Sequence, residues 1–440
     1  GGTTSSPSSQ SVTVERLWGK SCPQFTCSQV WQQRVSRRGT PWLHGNLPNS
    51  CDFFDSWVAG RRLYFAESAK KAAAIYRLAV AFGQNDTANV DASPLTQVDT
   101  DKVSELVRTG SISKDGHDLA EDFWDRYTTS KRKLLHDIEQ LTYLIINGKL
   151  PVCFWRLVQL YGDVHQGLRS PEALVIMSPE NFDKIGWFYN SLVYFSVVPN
   201  MSQAKVINPK FEFDLARAQY FVNSPSYVVA DNLLSSEALD TLLNFALDST
   251  LWFDDKKASY FGAYFYDGFA NPVLEQLVLE LRAGFPDIIG DLPLMQQWAY
   301  KSDQHISNLT LSRENTTGIP RHADSAAVNV NFWIVPDEAN NEFSGGGMEL
   351  ILKEPDEFDF AKHNRVLNTS IFTEGEFANA PRLRIPYKQN RVVMFTSTLI
   401  HASDRPNFKS GYASRRINFT FLFGKPGQKC LRSDTKKCAV

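Results

Sequence analysis

No apolar run in the chain approaches the roughly 20 residues that a bilayer-spanning helix needs. Charge of neither sign dominates, since 46 Lys and Arg meet 48 Asp and Glu for a net charge of -2. The first shortage argues against a helical membrane span. The second removes any global electrostatic reason for a nucleic-acid or anionic-membrane partner. No repeat of about 34 residues marks a helical solenoid. The glycine cluster Gly345-Gly346-Gly347 lacks the Gly-Lys-Ser/Thr ending of a phosphate loop and reads as a turn entering a strand. No signal peptide is visible, although residues 1–13, opening Gly1-Gly2-Thr3-Thr4, read as a trimmed or tagged terminus compatible with a removed one.

At 440 residues the chain has room for about two or three domains with real cores, and 43% apolar, 21% charged and 12% aromatic residues are the composition of a globular protein. Its six cysteines, Cys22, Cys27, Cys51, Cys153, Cys430 and Cys438, fall mostly in polar, loop-like stretches. An even number outside the expected strands suggests disulfides, with Cys430–Cys438 one pairing and two of the first three another. Asn-x-Ser/Thr sequons at Asn85, Asn200, Asn308, Asn315, Asn368 and Asn418 fit a protein of the secretory lumen or a secreted one, with a cytoplasmic location as the alternative. Asn418 stands within an expected strand and is a poor acceptor.

Residues 1–50 read as an irregular, cysteine-containing lead-in and residues 51–215 as an α-helical domain. Apolar residues recur at three- and four-residue steps from Arg61 to Phe82, and a long helix is expected from His117 to Ile146, ended by Asn147-Gly148. Further helical stretches are expected at 151–162 and 180–196. Residues 216–428 change texture. Tyr227 to Asn232 reads as a strand running into a turn, Ser235 caps a helix with Leu239, Leu242, Leu243 and Ala246 inward, and Asn271-Pro272 opens another that Gly284 closes. Short strands rich in Val, Ile, Phe and Thr follow at 297–302, 306–312, 327–335, 347–352, 383–386, 391–396 and 415–423. Residues 353–382 form a long loop of the kind that serves as a lid or substrate loop, and 429–440 a tail. The expected class is α+β: an N-terminal helical domain, then a double-stranded β-helix, or jelly roll.

The chemistry concentrates in the last hundred residues. His322 and Asp324 are two apart, so at an extended strand end their side chains point the same way and reach one metal ion. His401 ends the apolar run after Arg391, where a barrel wall turns polar. Two imidazoles and one carboxylate make the facial triad that binds Fe(II) and leaves positions open for a co-substrate and oxygen. On the last strand Arg416, Asn418 and Thr420 share one face and Ile417, Phe419 and Phe421 the other. An Arg on the inner face suits the distal carboxylate of 2-oxoglutarate. Parity favours Arg416 over Arg415 for that role. Tyr300 could hydrogen-bond 2-oxoglutarate or be an ordinary core aromatic. Asn329 and Asn331 alternate with Val328 and Val330, so they line a pocket or face solvent. His117, His136 and His165 lie in helical segments without a ligand set.

From about residue 225 to 424 the sequence resembles the Fe(II)/2-oxoglutarate-dependent dioxygenase superfamily, nearest its prolyl-hydroxylase-like branch. The carriers are His322-Ala323-Asp324, the segment Gly345 to Leu350, His401, and Arg416-Ile417-Asn418-Phe419-Thr420-Phe421, together with the opening Tyr227 to Leu234. The final strand is similar to the Arg-x-Asn-x-Thr-Phe strand of alkylated-nucleic-acid demethylases in the same superfamily, whose Arg and Asn hold 2-oxoglutarate. Prolyl hydroxylases usually carry a Lys about ten residues beyond the distal His, where this chain has Gly411. Related halogenases replace the carboxylate at Asp324 with a small residue, so its presence favours hydroxylation or desaturation. The resemblance implies Fe(II), 2-oxoglutarate and O2, with ascorbate as an accessory reductant. It implies a small-molecule or peptidyl substrate, with peptidyl proline or lysine, a free amino acid and a small natural product as the options. Two other readings are a non-catalytic binding or scaffold protein that retains the fold, and a cupin-type metal oxygenase that does not use 2-oxoglutarate. The second has no need of Arg416.

Overall fold

The computed structural model describes residues 128–150, 152–168, 174–186, 188–190, 193–196, 198, 204–256, 260–264, 268–303, 318–360, 363, 375–430 and 438–439. The lead-in, the helix expected at 61–82, the strand expected at 306–312 and residues 361–362 and 364–374 of the 353–382 loop lie outside these residues, as do all the sequons except Asn418. The chain divides into two compact units, whose described parts run up to Val193 and from Tyr194 onward.

In the first unit a two-residue strand pair, β1 (Thr128–Thr129) and β2 (Val175–Ile176), accompanies three helices, α1 (Lys131–Ile146), α2 (Trp155–Gly167) and α3 (Pro179–Ile185). The Ser130 side chain accepts from the Lys133 amide and caps α1. Leu134, Leu141, Leu144 and Ile145 of α1 and Leu157, Leu160, Tyr161 and Val164 of α2 are buried, and the two helices pack together. The expectation of a helix over 180–196 holds only as far as Ile185. A turn follows at 188–190, where Asn190 has φ +47, a left-handed conformation that ends helical propagation.

The second unit opens with α4 (Phe213–Val222), which the sequence pattern did not signal, and β3 (Tyr227–Ala230). Next comes α5 (Ser236–Asp248), capped by the Ser235 hydroxyl at the Ala238 amide. Its buried face is Ala238, Leu242, Phe245 and Ala246, whereas Leu239 and Leu243 are half-buried on its flank. Two short strands follow, β4 (Asp254–Lys256) and β5 (Tyr260–Tyr264), and then α6 (Pro272–Gly284). Asn271 accepts from the Leu274 amide with Pro272 in the first turn, the start its sequence predicts. Gly284 serves packing: a Cβ there would lie 1.9 Å from the Phe213 ring.

Seven strands form one antiparallel sheet in the order β3-β10-β7-β12-β6-β5-β4, with β6 at Leu294–Ser302, β7 at Val328–Trp333, β10 at Val392–Thr396 and β12 at Ile417–Phe423. Three more, β8 (Met348–Ile351), β9 (Arg382–Ile385) and β11 (His401–Ser403), form a second in the order β11-β8-β9. The outer face of β7 and β12 is apolar, with Val330 and Phe332 beside Phe419 and Phe421. Phe419 of β12 meets Phe269 at a ring separation of 4.8 Å, and Phe269 meets Phe245 of α5 at 6.1 Å, which ties helix to sheet. The inner face is polar where it matters. Cross-strand register sets Tyr300, Asn418 and Trp333 in one row and Tyr264, Trp298, Thr420 and Asn331 in the next.

After Gly424 a short hairpin of β13 (Lys429–Cys430) and β14 (Cys438–Ala439) puts Cys430 directly opposite Cys438, the two residues whose pairing the sequence suggests. No helix among the described residues is long and apolar enough to cross a membrane.

Candidate metal centre

The chain leaves the large sheet at the end of β10, crosses over residues 397–400 and enters the small sheet at His401. Opposite this crossing runs 322–327. His322 and His401 exchange both backbone hydrogen bonds, at 2.9 and 2.8 Å, so the two histidines stand side by side as an antiparallel pair. The Asp324 amide donates to Ser397 O at 3.2 Å, and the Ser397 hydroxyl donates back to Asp324 O at the same distance. Between the two polar residues, Ala323 is fully buried against Ile351, Phe377 and Ile400. Turning that methyl group into the core turns His322 and Asp324 the other way, toward one point.

One ligand atom from each of His322, Asp324 and His401 lies within 4.8 Å of the others. His401 Nε2 is 3.3 Å from Asp324 Oδ2, and His322 Nε2 is 3.8 Å from Oδ1. The far side of each ring decides what these atoms carry. His322 Nδ1 is 2.8 Å from Pro320 O and His401 Nδ1 is 3.0 Å from Leu399 O. A carbonyl only accepts, so each Nδ1 bears the proton and each neutral ring turns an Nε2 lone pair inward. Two lone pairs and a carboxylate converging on one point repel until a cation sits among them. The donor set therefore fits a divalent metal of the kind that two imidazoles and one carboxylate hold.

Electrostatics agree with that state. Burial, with the neighbouring His401 ring, pushes the His322 imidazole down to about 4, so it is neutral and ready to ligate at physiological pH. Burial alone would raise Asp324, but the adjacent His401 and His322 imidazoles and the Asn329 amide hold its carboxyl below the usual range.

Arg416 occupies the same cavity, which is also lined by Trp298, Tyr300, Asn331, Trp333, Met348, Asn418 and Thr420 and contains about 370 Å³ of space, part of it open to solvent. Its Nε donates to Gly346 O at 2.7 Å, Nη2 to Gly347 O at 3.1 Å and Nη1 to Asn418 Oδ1 at 3.0 Å. The guanidinium also lies 5.6 Å from the Trp333 ring. Among the described residues no carboxylate pairs with it. Burial pushes its pKa down to about 10, more than the nearby Tyr387 and Asp404 offset, the mark of a cation held out of water without a bonded carboxylate. Its neighbour Arg415 is different: it is equally buried but donates to Asp303 Oδ1 at 3.1 Å. Just ahead of β12, the two consecutive guanidinium groups go to different partners, Arg415 to Asp303 and Arg416 to the Gly346 and Gly347 carbonyls.

The glycine cluster has a use that its sequence did not disclose. Gly346 sits at φ +77, and a Cβ on Gly347 would lie 2.0 Å from Ile385 O. The backbone must come this close to β9 for the two carbonyls to face Arg416. Tyr300 reaches the cavity from β6, its hydroxyl 3.1 Å from that of Tyr264, and burial raises its pKa well above the usual phenol value. Asn329 and Asn331 point inward. Asn329 Nδ2 donates to Asp324 Oδ2 at 2.6 Å, which the sequence alternation alone did not reveal.

No protein-family model matches the chain, and no curated protein matches it. Solved structures similar to it include the non-heme α-ketoglutarate-dependent epimerase SnoN from nogalamycin biosynthesis, at 11% identity and a TM-score of 0.33 over 49% of this chain and 84% of that one. The non-heme α-ketoglutarate-dependent carbocyclase SnoK from the same biosynthesis shares 10% identity, with a TM-score of 0.32 over 50% of this chain and 87% of that one. HygX from Streptomyces hygroscopicus, with nickel and 2-oxoglutarate bound, shares 14% identity, with a TM-score of 0.33 over 50% of this chain and 92% of that one. Likenesses at these scores leave the chemistry of the site to be argued from its own residues.

Proposed function

We propose that the protein is an Fe(II)- and 2-oxoglutarate-dependent dioxygenase, built on a double-stranded β-helix, that hydroxylates or desaturates an unactivated C–H bond of a small-molecule or peptidyl substrate. The observation that carries this reading is a buried guanidinium that has no carboxylate partner among the described residues, in the same cavity as the two-His-one-Asp set. A metal site alone would suit many reactions. A metal site facing an unmatched Arg416 suits a co-substrate that chelates at one end and carries a carboxylate at the other, which is the chemistry of 2-oxoglutarate.

In this reading His322, Asp324 and His401 hold Fe(II) by one face, and Arg416 pairs with the distal carboxylate of the co-substrate. Asn418 keeps the guanidinium in its plane through the Nη1 contact. Trp333 and Met348 give the co-substrate pocket apolar walls that exclude water, and Tyr300 and Trp298 form the wall beside it. The bound iron supplies oxygen activation: for hydroxylation, 2-oxoglutarate, O2 and substrate C–H yield succinate, CO2 and substrate C–OH. The intact Asp324 leaves no room at the metal for a halide in its place, so hydroxylation or desaturation is favoured over halogenation.

An anaerobic titration with Fe(II) and 2-oxoglutarate tests the proposal through the visible charge-transfer band of the chelated keto acid. The band should form in the wild type, vanish in His322→Ala and need far more 2-oxoglutarate in Arg416→Ala. Iron binding without a band would point to the cupin-type oxygenase instead, and a protein that binds no iron would be a binding module.

A further inference from the structure

The inner faces of β7 and β12 carry a line of buried amides that neither metal ligation nor carboxylate pairing explains. Asn329 is completely buried, and Asn331, Asn418 and Thr420 are nearly so. Strands with both faces buried are normally filled with Val, Ile and Leu, because a buried amide without a partner costs several times what its hydrogen bond contributes. Here every amide is matched, and the donors all run one way. Arg416 Nη1 donates to Asn418 Oδ1 at 3.0 Å. Asn418 Nδ2 donates to Thr420 Oγ1 at 3.3 Å, and the Thr420 hydroxyl donates to Asn331 Oδ1 at 2.7 Å. Asn331 Nδ2 donates to Asn329 Oδ1, and Asn329 Nδ2 to Asp324 Oδ2 at 2.6 Å. The line starts on a cation and ends on an anion.

Direction matters physically. When each group donates onward, the dipoles align head to tail and each bond polarises the next. The terminal contact also has a geometric effect. It fixes Oδ2 in the direction of His401 and leaves Oδ1 on the His322 side, so the carboxylate cannot rotate about its own bond. A ligating carboxylate held in this way meets the metal without losing rotamer freedom, and outer contacts of this type are typically worth about 10–100-fold in metal affinity.

We propose that Asn329 and Asn331 are positioning residues: they set the orientation of the Asp324 carboxylate and couple it to Arg416, so that metal and carboxylate co-substrate bind to one connected unit. This rests on the reading of His322, Asp324 and His401 as metal ligands. Two consequences are specific. Asn329→Ala weakens binding of the metal alone, without any co-substrate. Asn331→Leu, similar in size but without polar atoms, breaks the line at its middle and lowers the gain in metal affinity that 2-oxoglutarate brings.

The test is a titration of the full chain with Co(II), followed by its visible ligand-field bands, with and without saturating 2-oxoglutarate. It compares the wild type, Asn329→Ala, Asn329→Leu, Asn331→Leu and Asp324→Ala, each first checked for wild-type circular dichroism. The expected result is a loss in Co(II) affinity of about tenfold or more in Asn329→Ala, with changed band positions, and a smaller loss without 2-oxoglutarate in Asn331→Leu. Asn329→Leu leaves no cavity, so it gives the same answer if the alanine variant does not fold. Wild-type Co(II) affinity and spectrum in a folded Asn329 variant would overturn the proposal while leaving the metal site standing. Equal Co(II) binding by the wild type and Asp324→Ala would overturn the reading of the site itself, and the proposal with it.

Discussion

At His322 the imidazole titrates near 4 in the folded chain because burial and the His401 ring disfavour its charge, against about 6.5 for an exposed ring. The unfolded chain therefore takes up this proton first as the pH falls. The stability that His322 contributes to the metal-free protein is complete above about pH 6.5 and declines toward pH 4, by at most about 1.4 kcal/mol per pH unit. Chemical denaturation of the metal-free wild type and His322→Gln between pH 7 and 4 measures it: the wild type should lose stability faster over that window, and parallel curves would contradict the assignment. Much at this scale was readable from the sequence. A His two residues before an Asp, and alternation that separates Arg416 from Arg415, are one-dimensional patterns. The roles of Asn329 and Asn331 were not readable, because every residue of β7 is buried and alternation of Asn with Val cannot then say which face is which. Their partners depend on register, with Asn331 opposite Thr420 on another strand.

Among elements, two helix starts were legible because a cap is a local signal: Ser235 and Asn271 each hold the amide three residues on. By contrast α1, expected from His117, starts at Lys131 behind the Ser130 cap and the strand β1. β4 and β5 were not legible: Asp254 and Lys256 pair with each other on a strand facing Gly262 and Tyr260, an arrangement that depends on register and not on local pattern. α4 escaped for the opposite reason, with Leu215, Phe221 and Val222 left on its exposed side and its apolar stripe blurred. The turn into β8 shows an element whose cause is tertiary. Gly347 packs against the Ile385–Tyr387 backbone while its carbonyl accepts from Arg416. Gly347→Ala should destabilise the protein by about 1–3 kcal/mol, the usual penalty for overpacking against atoms that cannot move aside. It should also weaken 2-oxoglutarate binding, because the acceptors of the guanidinium shift with the turn. An unchanged denaturation midpoint would show that β8 and β9 can separate at little cost.

For the molecule as a whole, the position of the site along the chain matters more than its depth. Every side chain given a role in the proposal, from Trp298 to Thr420, belongs to the unit whose described part begins at Tyr194, and the candidate ligands are joined by that unit's own backbone through the His322–His401 pair. Two long stretches of sequence therefore meet at one candidate metal site. Binding there ties the crossing between the sheets to the segment opposite, and by linkage a ligand at a hundred times its dissociation constant stabilises the folded state by about 2.7 kcal/mol. A chain starting at residue 194 should consequently fold alone, bind Co(II) as tightly as the full protein, and show the same rise in melting temperature when metal is added. The rise should disappear in Asp324→Ala in both lengths of chain. If the shorter chain folds but binds metal less tightly, the helical unit contributes to the site from outside it. If it fails to fold while the full chain melts in one transition, the division at Tyr194 is one of packing density and not of independent stability. Equal affinity and equal stabilisation would assign the chemistry to residues 194–430 and leave the helical unit to act on something other than the metal.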